Sequence, residues 1–379
     1  MRLAVLLVLG GCGFQLTGAA PDDAAVPGEL GPEGPAPEAW LAGFDYRKRI
    51  TFTSGTSTLV DFVAAVALTA DQDLAVHALD DGRDLVFTGP DRVTKLDFEI
   101  ESFDGGTGAI AAWIRIPSFE PTSEVYLYYG GGAADEQNVA GTWPTSRYAA
   151  VWHLTDPMAN QARDSTPNAL ALTAPGATNV PAQASDGIIG GARRYDGVDD
   201  TLQRTGASSV ALTHGANPYS YGVWVLLTSS QTPYDMVFYK GAANSTDPGY
   251  DIELGSATWS TYLCDGNANT VGGNFGLETA LLNRWVYLVA VVDRATQRFR
   301  IYTDGVLIAA EPMSAVGSVT SMQTVALGRP SYPVRGLIDE MRVYTTALTP
   351  QWIGAEYRNL APTTRGAFRT VGPEELSPL

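Results

Sequence analysis

Acids two residues apart are the first feature of this sequence whose spacing could do chemistry. Glu99-Ile-Glu101 and Asp251-Ile-Glu253 each place two carboxylates on one side of an extended segment, and Asp339-Glu340 sets two in succession. Retaining glycoside hydrolysis needs a carboxyl pair about 5–5.5 Å apart, which one strand supplies at i and i+2 or i+4. Neither Asp251-Ile-Glu253 nor Asp339-Glu340 is extended by a further alternating acid. Glu99 and Glu101 alternate with Phe98 and Ile100, so a solvated strand face accounts for them. Adjacent Asp339 and Glu340 are expected on opposite faces, unable to act on one bond. No catalytic residue is assigned, and the chain is not expected to be an enzyme.

Other chemistries find less support. The three histidines, His77, His153 and His214, sit in no nucleophile pattern. His153, within Val151-Trp-His-Leu154, reads as a structural hydrogen-bonding residue. Gly130-Gly-Gly132 lacks the lysine and helix start of a phosphate loop. Clustered zinc ligands are absent. A net charge of -17 without a basic run excludes nucleic acid as a partner. Two aromatics are candidates for sugar stacking: Tyr332, between Pro330 and Pro333, and Trp259 in Ala257-Thr-Trp-Ser260, for which core packing is the competing role.

The elements that must position these residues are strands. Hydrophobic residues make up 45% of 379, and 40 Gly with 23 Pro supply many turns. Trp285–Asp293 is a run of branched and aromatic residues. Arg298-Phe-Arg-Ile-Tyr-Thr303 alternates, and Asp304-Gly305 is a two-residue hairpin turn leading into Val306–Ala310. Gly336–Tyr344 gives one more strand. Upstream, Tyr46–Phe52, Phe62–Leu68, Asp80–Phe87, Lys95–Phe103, Ala109–Pro117 and Val125–Tyr129 are spaced as in a compact β-sandwich. Helical periodicity occurs once, over Leu348–Tyr357, with Thr349-Pro350 as its N-cap and first turn.

The ordered set Arg194-Tyr-Asp-Gly-Val-Asp-Asp200, Tyr221-Gly-Val-Trp224, Trp285, Asp293, Tyr302-x-Asp304-Gly305, Gly328-Arg329, Gly336-Leu-Ile-Asp339-Glu340-x-Arg342-x-Tyr344 and Leu348 resembles the laminin-G-like branch of the concanavalin-A-like lectin and glucanase superfamily. That resemblance implies a jelly-roll sandwich but no single function, since the fold hosts lectins, hydrolases and adhesion modules. Tyr46-Arg-Lys-Arg49, Asp80-x-Gly82-x-Asp84, Glu99-x-Glu101-Ser102-Phe103, Ala112-Trp113-x-Arg115-x-Pro117, Tyr128-Tyr129-Gly130 and Val151-Trp-His-Leu154 resemble a bacterial domain of unknown function, found ahead of laminin-G-like modules in surface proteins. Asp164-Ser-Thr-Pro-Asn168 resembles the Asp-x-x-Gly-Asn calcium loop of such modules, with Pro167 in place of glycine. The resemblance implies structural calcium held by Asp164, Asn168 and Asp339; an Asx-turn at Asp164 and a backbone cap at Asp339 is the alternative. Met1-Arg2, the apolar Leu3–Leu9 and Leu9-Gly-Gly-Cys12 resemble a lipoprotein export signal, which implies a lipid anchor on Cys12 and, in a Gram-negative host, the outer membrane.

The expected organisation is all-β. A signal peptide at 1–11 precedes the lipidated Cys12 and a Pro/Gly/acid-rich tether at 12–42. A β-sandwich of unknown function follows at 43–148, then a laminin-G-like jelly roll at 149–360 and a loose polar tail at 361–379. Cys264 reads as a lone buried thiol. The expected role is a membrane-anchored binding or adhesion lipoprotein of the cell envelope, recognising glycan or another envelope protein. An unusual glycoside hydrolase and a structural spacer are the alternatives.

Overall fold

The hairpin read from the alternation at Arg298–Thr303 is present. Trp285–Asp293 pairs antiparallel with Arg298–Thr303, which pairs with Val306–Pro312. Asp304 and Gly305 turn between them at φ 52° and 79°, the left-handed pair that a two-residue hairpin demands. The computed structural model describes residues 38–378, apart from 56, 133–134, 232–233, 242–245, 256–257 and 278–280. The expected export signal, Cys12 and most of the tether lie outside the described residues.

That hairpin ends an eight-stranded sheet. Inward from it lie Tyr219–Leu227, Arg335–Tyr344, Ala192–Asp196 and Ala182–Ala184, with Tyr148–Trp152 paired to the later half of Arg335–Tyr344. A second eight-stranded sheet runs in the order Thr270–Leu277, Thr258–Cys264, Gly249–Gly255, Asp235–Gly241, Val325–Leu327, Leu202–Arg204, Leu172–Thr173, Gln161–Ala162. Tyr221, Val223 and Val225 of the first sheet pack against Phe238, Ile252, Leu254, Trp259 and Leu327 of the second. Burying each aliphatic side chain of this kind contributes about 1.5–3 kcal/mol.

The N-terminal sandwich sets a four-stranded sheet against a three-stranded one. The four are Arg369–Leu376, Phe44–Thr53, Thr122–Gly131 and Val86–Thr88; the three are Leu59–Leu68, Ala109–Phe119 and Phe98–Asp104. Its core does not stop at its own sheets. Phe52, Phe62, Trp113 and Trp143 share one buried cluster with Trp224, Tyr287 and Tyr302 from the outer face of the jelly roll. Ala39–Leu379 is accordingly one compact unit, and the boundary expected at 148–149 falls within it.

The helix expected from the sequence sits in that joint. Pro350–Leu360 starts at Thr349, whose hydroxyl accepts the Trp352 amide, and lays Trp352 against Phe62 at 5.3 Å between ring centres. The tail differs from expectation. Arg369–Leu376 is a strand paired with Phe44–Thr53, Phe52 opposite Arg369 and Tyr46 opposite Leu376. Its polar composition hid this because it forms the edge of its sheet, where one side meets water.

Candidate functional site

Two groups of side chains stand out, one between the sandwiches and one on the outside of the jelly roll. The first gathers on two strand irregularities. In Phe98–Asp104 the register shifts between Ile100 and Ser102. Glu99 and Glu101 do not face solvent, as expected from the alternation, but turn into the joint, with their side chains 14% and 1% exposed. In Arg335–Tyr344 the register shifts opposite Gly222–Trp224, and Glu340 takes φ 49°. A bulge places successive side chains on one side of a strand. Asp339 and Glu340 both reach the joint, contrary to the opposite faces that simple alternation implies.

His153 stands at the centre. Its Nδ1 lies 2.7 Å from Glu340 and 3.7 Å from Glu101, and its Nε2 lies 3.2 Å from Glu99. Each carboxylate is held in turn. The Trp143 indole N–H and the Ser165 hydroxyl donate to Glu99, at 2.5 and 2.9 Å. The Trp113 indole N–H donates to Glu101 at 2.8 Å. The Arg342 guanidinium grips Glu340 Oε2 at 2.6 Å and lies 4.4 Å from the centre of the Trp113 ring. Gly190 closes over the group: at φ 56°, a Cβ there would fall 2.3 Å from Glu101 Oε1. A pocket of about 170 Å³ opens beside it, lined by Glu99, Glu101, His153, Thr155, Asp156 and Arg163 among others.

The charges divide unequally. Burial, reinforced by Glu340 and Glu99, pushes the Glu101 carboxyl up to about 8. Burial together with Glu340 and Glu101 holds Asp339 well above the carboxylate range. Burial works against the charged forms of Glu99 and Glu340 too, but His153 outweighs it, helped at Glu340 by Arg342, and both stay below their usual values. His153 is held well above the ordinary imidazole value, the two glutamates more than offsetting its burial. The hydrogen bonds expected of His153 are therefore present, and they tie it to charges.

The second group lies on the outer face of the other sheet. Along Gly249–Gly255, Tyr250, Ile252 and Leu254 enter the core, so Asp251 and Glu253 point outward. Both are nonetheless buried, and burial holds both carboxyls above their usual range, Asp251 furthest. Asp251 Oδ1 accepts the Tyr262 amide at 2.8 Å. Beyond the paired Met236 and Glu253 comes an aromatic pair. Tyr234 and Tyr332 stand edge to face at 6.2 Å, 60% and 37% exposed. The Tyr332 carbonyl accepts the Met236 amide at 2.8 Å, its amide donates to the Arg329 carbonyl, and the Arg329 guanidinium lies 5.2 Å from its ring centre. Tyr234 adopts φ 74°, a costly conformation for a bulky side chain.

Of the residues singled out from the sequence, Tyr332 is on the surface and Trp259 is not. Trp259 is fully buried against Phe275 in the jelly-roll core, so its candidacy for sugar stacking is withdrawn. Each of the three expected calcium ligands makes hydrogen bonds with the backbone. Asp164 accepts the amides of Val151, Thr166 and Leu170 and the Thr166 hydroxyl, at 2.9–3.0 Å. Asn168 donates to the Ala149 carbonyl, and Asp339 accepts the amides of Ile188 and Glu340. These are contacts of the Asx-turn and cap kind, and the charges acting on Asp339 come from Glu340 and Glu101. Sequence reasoning missed Tyr234, Arg329 and the Glu340–Arg342 pair. Only the last had a signal, opposite charges two apart on a strand.

Residues 196–354 match the family described as the concanavalin A-like lectin/glucanases superfamily, so the chain carries a domain of that superfamily. Among solved structures it is similar to the binding domain of Paraclostridial Mosquitocidal Protein 1, at 11% identity and TM-score 0.46, covering 56% of this chain and 52% of that one. It is also similar to the botulinum neurotoxin serotype D binding domain, at 11% identity and TM-score 0.46, covering 58% and 52%. The same serotype's ligand-binding domain in complex with N-acetylneuraminic acid gives 11% and 0.44 over 58% and 52%. The matched region is about half the length of each. No curated protein matches the chain.

Proposed function

We propose that this chain is a binding protein of the bacterial cell envelope, that its jelly roll recognises glycan through the Tyr234–Tyr332 pair, and that a lipid on Cys12 anchors it. The observation that carries the binding reading is the exposed, pre-set aromatic pair. Tyrosine rings offer flat apolar faces to the C–H faces of a sugar and a hydroxyl at the rim. Backbone hydrogen bonds on either side of Tyr332 hold it in place, so little ordering remains to be done on binding. Arg329, stacked between Tyr239 and Tyr332, adds a cation at the same rim. An envelope protein presenting a loop to this rim is the other partner the surface fits. A glycan array probed with the full chain tests the proposal: binding is expected, and Tyr332→Ala and Tyr234→Ala should each abolish it without lowering Tm.

One observation favours a hydrolase instead. Asp251 and Glu253 lie at i and i+2 on the outer face, with carboxyls held above their usual range. A protonated acid beside a second carboxyl is what glycoside cleavage uses. Against it, Asp251 is buried and spends one oxygen on the Tyr262 amide. Sugar release from a polysaccharide panel, abolished by Glu253→Gln, would decide for the enzyme. The anchor rests on Leu9-Gly-Gly-Cys12. Cys12→Ser should move the protein out of the membrane fraction, and identical fractionation of mutant and wild type would reject it.

A further inference from the structure

We propose that the joint between the two sandwiches is a binding site for one divalent transition-metal ion of the zinc or manganese kind, ligated by His153 Nδ1 and the carboxylates of Glu101 and Glu340. The ligand atoms of these three residues lie within 4.8 Å of one another. An imidazole nitrogen with two carboxylates suits zinc or manganese better than calcium, which prefers an all-oxygen shell.

Acids near one another are commonplace, and the case does not rest on their number. The Glu101 side chain is 1% exposed, and its Oε1 has no hydrogen-bond partner. A buried carboxyl oxygen without a partner is costly, and a cation that displaces the Glu101 proton satisfies it most fully. The second shell is independent support. Metal-bound histidines characteristically give their other ring N–H to a carboxylate, which fixes the tautomer and orients the ring. Glu99 stands in that place on His153 Nε2, itself held by Trp143 and Ser165. The other two ligands are braced likewise, Glu101 by the Trp113 indole and Glu340 by Arg342. Each proposed ligand thus has its own outer support.

Charge points the same way. Glu99, Glu101 and Glu340 crowd one imidazole, Asp339 stands beside Glu101 and Glu340, and Arg342 is shared between Glu340 and Glu356. A divalent ion brings two positive charges to that crowd. The adjoining pocket of about 170 Å³ gives it a route in. It has room for several waters, which would complete the shell. Uptake releases two protons, the one between His153 Nδ1 and Glu340 and the one that Glu101 carries, as the metal–nitrogen and metal–carboxylate bonds form.

The test uses the full chain, stripped with a chelator and titrated calorimetrically with zinc, manganese and calcium chlorides in turn. One equivalent of zinc or manganese is expected to bind with proton release, and calcium is not. Glu101→Gln, nearly isosteric, should weaken affinity by about 100-fold, and Glu99→Gln, which touches only the second ring nitrogen, by about 10–100-fold. The acidic trio Asp196, Asp199 and Asp200, elsewhere in the fold, is the internal control, and Asp199→Asn should leave affinity unchanged. No stoichiometric binding, binding that Glu101→Gln leaves intact, or binding lost in Asp199→Asn would each overturn the proposal. Because Glu101→Gln could also act by loosening the joint, its Tm without metal is measured alongside. A folded variant that no longer binds supports the site. If it unfolds, a folded Glu99→Gln decides: weakened binding supports the site and unchanged binding rejects it.

Discussion

The joint and the tyrosine rim use side chains in opposite ways. In the joint, His153, Glu340 and Arg342 are each buried and each depend on the others for a counter-charge. At the rim, Tyr234 and Tyr332 meet water, the Tyr332 backbone is held by hydrogen bonds, and the rings meet each other and Arg329. Removing one member of a buried charge group strands the rest, whereas removing an exposed ring strands nothing. The joint should therefore respond to mutation in stability and the rim in recognition.

The sharpest break between them should come from Glu340→Ala, which leaves His153 and Arg342 without their shared carboxylate. A loss of about 3–5 kcal/mol is expected, read from urea unfolding. A loss under about 1 kcal/mol would mean the joint is wetter than its burial indicates. Trp259→Ala should cost about as much, roughly 3–5 kcal/mol, because it empties the jelly-roll core. If it instead removed sugar binding at unchanged Tm, the two regions would have been assigned the wrong way round.

The pH dependence of the metal-free chain comes next in size. Glu101 keeps its proton in the folded chain up to about 8, whereas the unfolded chain releases it near pH 4.3. Between those values the unfolded state binds fewer protons, so stability falls as pH rises. His153, held above its usual value, adds stability that is complete below about pH 6.5 and lost as pH rises through its folded value. Asp339, also held high, acts in the same direction as Glu101. Glu99 and Glu340, held low, act oppositely, their stabilisation being lost only as pH falls below about 4.3. Arg342 stays charged throughout. Tm should thus decline from about pH 5 to 8, and Glu101→Gln should flatten part of that slope. A Tm that climbs over this range contradicts the charge assignment.

The smallest effects belong to the surface. Tyr332→Ala should change stability by less than about 0.5 kcal/mol while removing glycan binding. Calcium or EDTA should leave Tm unmoved through the Asp164 loop, since that carboxylate is already filled by N–H and O–H donors. A calcium-dependent Tm that Asp164→Asn abolishes would restore the loop as a metal site.

What the sequence disclosed and what it hid follow from range. The hairpin around Asp304-Gly305 and the cap at Thr349-Pro350 are local and were legible residue by residue. The jelly roll was legible from ordered motifs that match a known superfamily. Glu99 and Glu101 misled because alternation reports that a strand has two faces, not what a distant strand will lay over one of them. Asp339 and Glu340 misled because a bulge at residue 340 breaks the period that the inference used. The partner of Tyr332, Tyr234, stands just ahead of the strand Asp235–Gly241, where no periodic run marks it. The edge strand at Arg369–Leu376 has no apolar stripe of its own to announce it.

That last strand changes how the molecule would carry a pull. Phe44–Thr53 is clasped on both sides, by Thr122–Gly131 and by Arg369–Leu376, and Arg47 reaches a glutamate 328 residues further along. Tension arriving through the N-terminal residues meets this strand first. Antiparallel ladder bonds lie across the strand, so a tug along it shears many bonds together and cannot open them singly, as peeling would. The load then passes into two stretches remote in sequence before it reaches the tyrosines. A ligand held at the rim against flow would test the clasp before it tested the core.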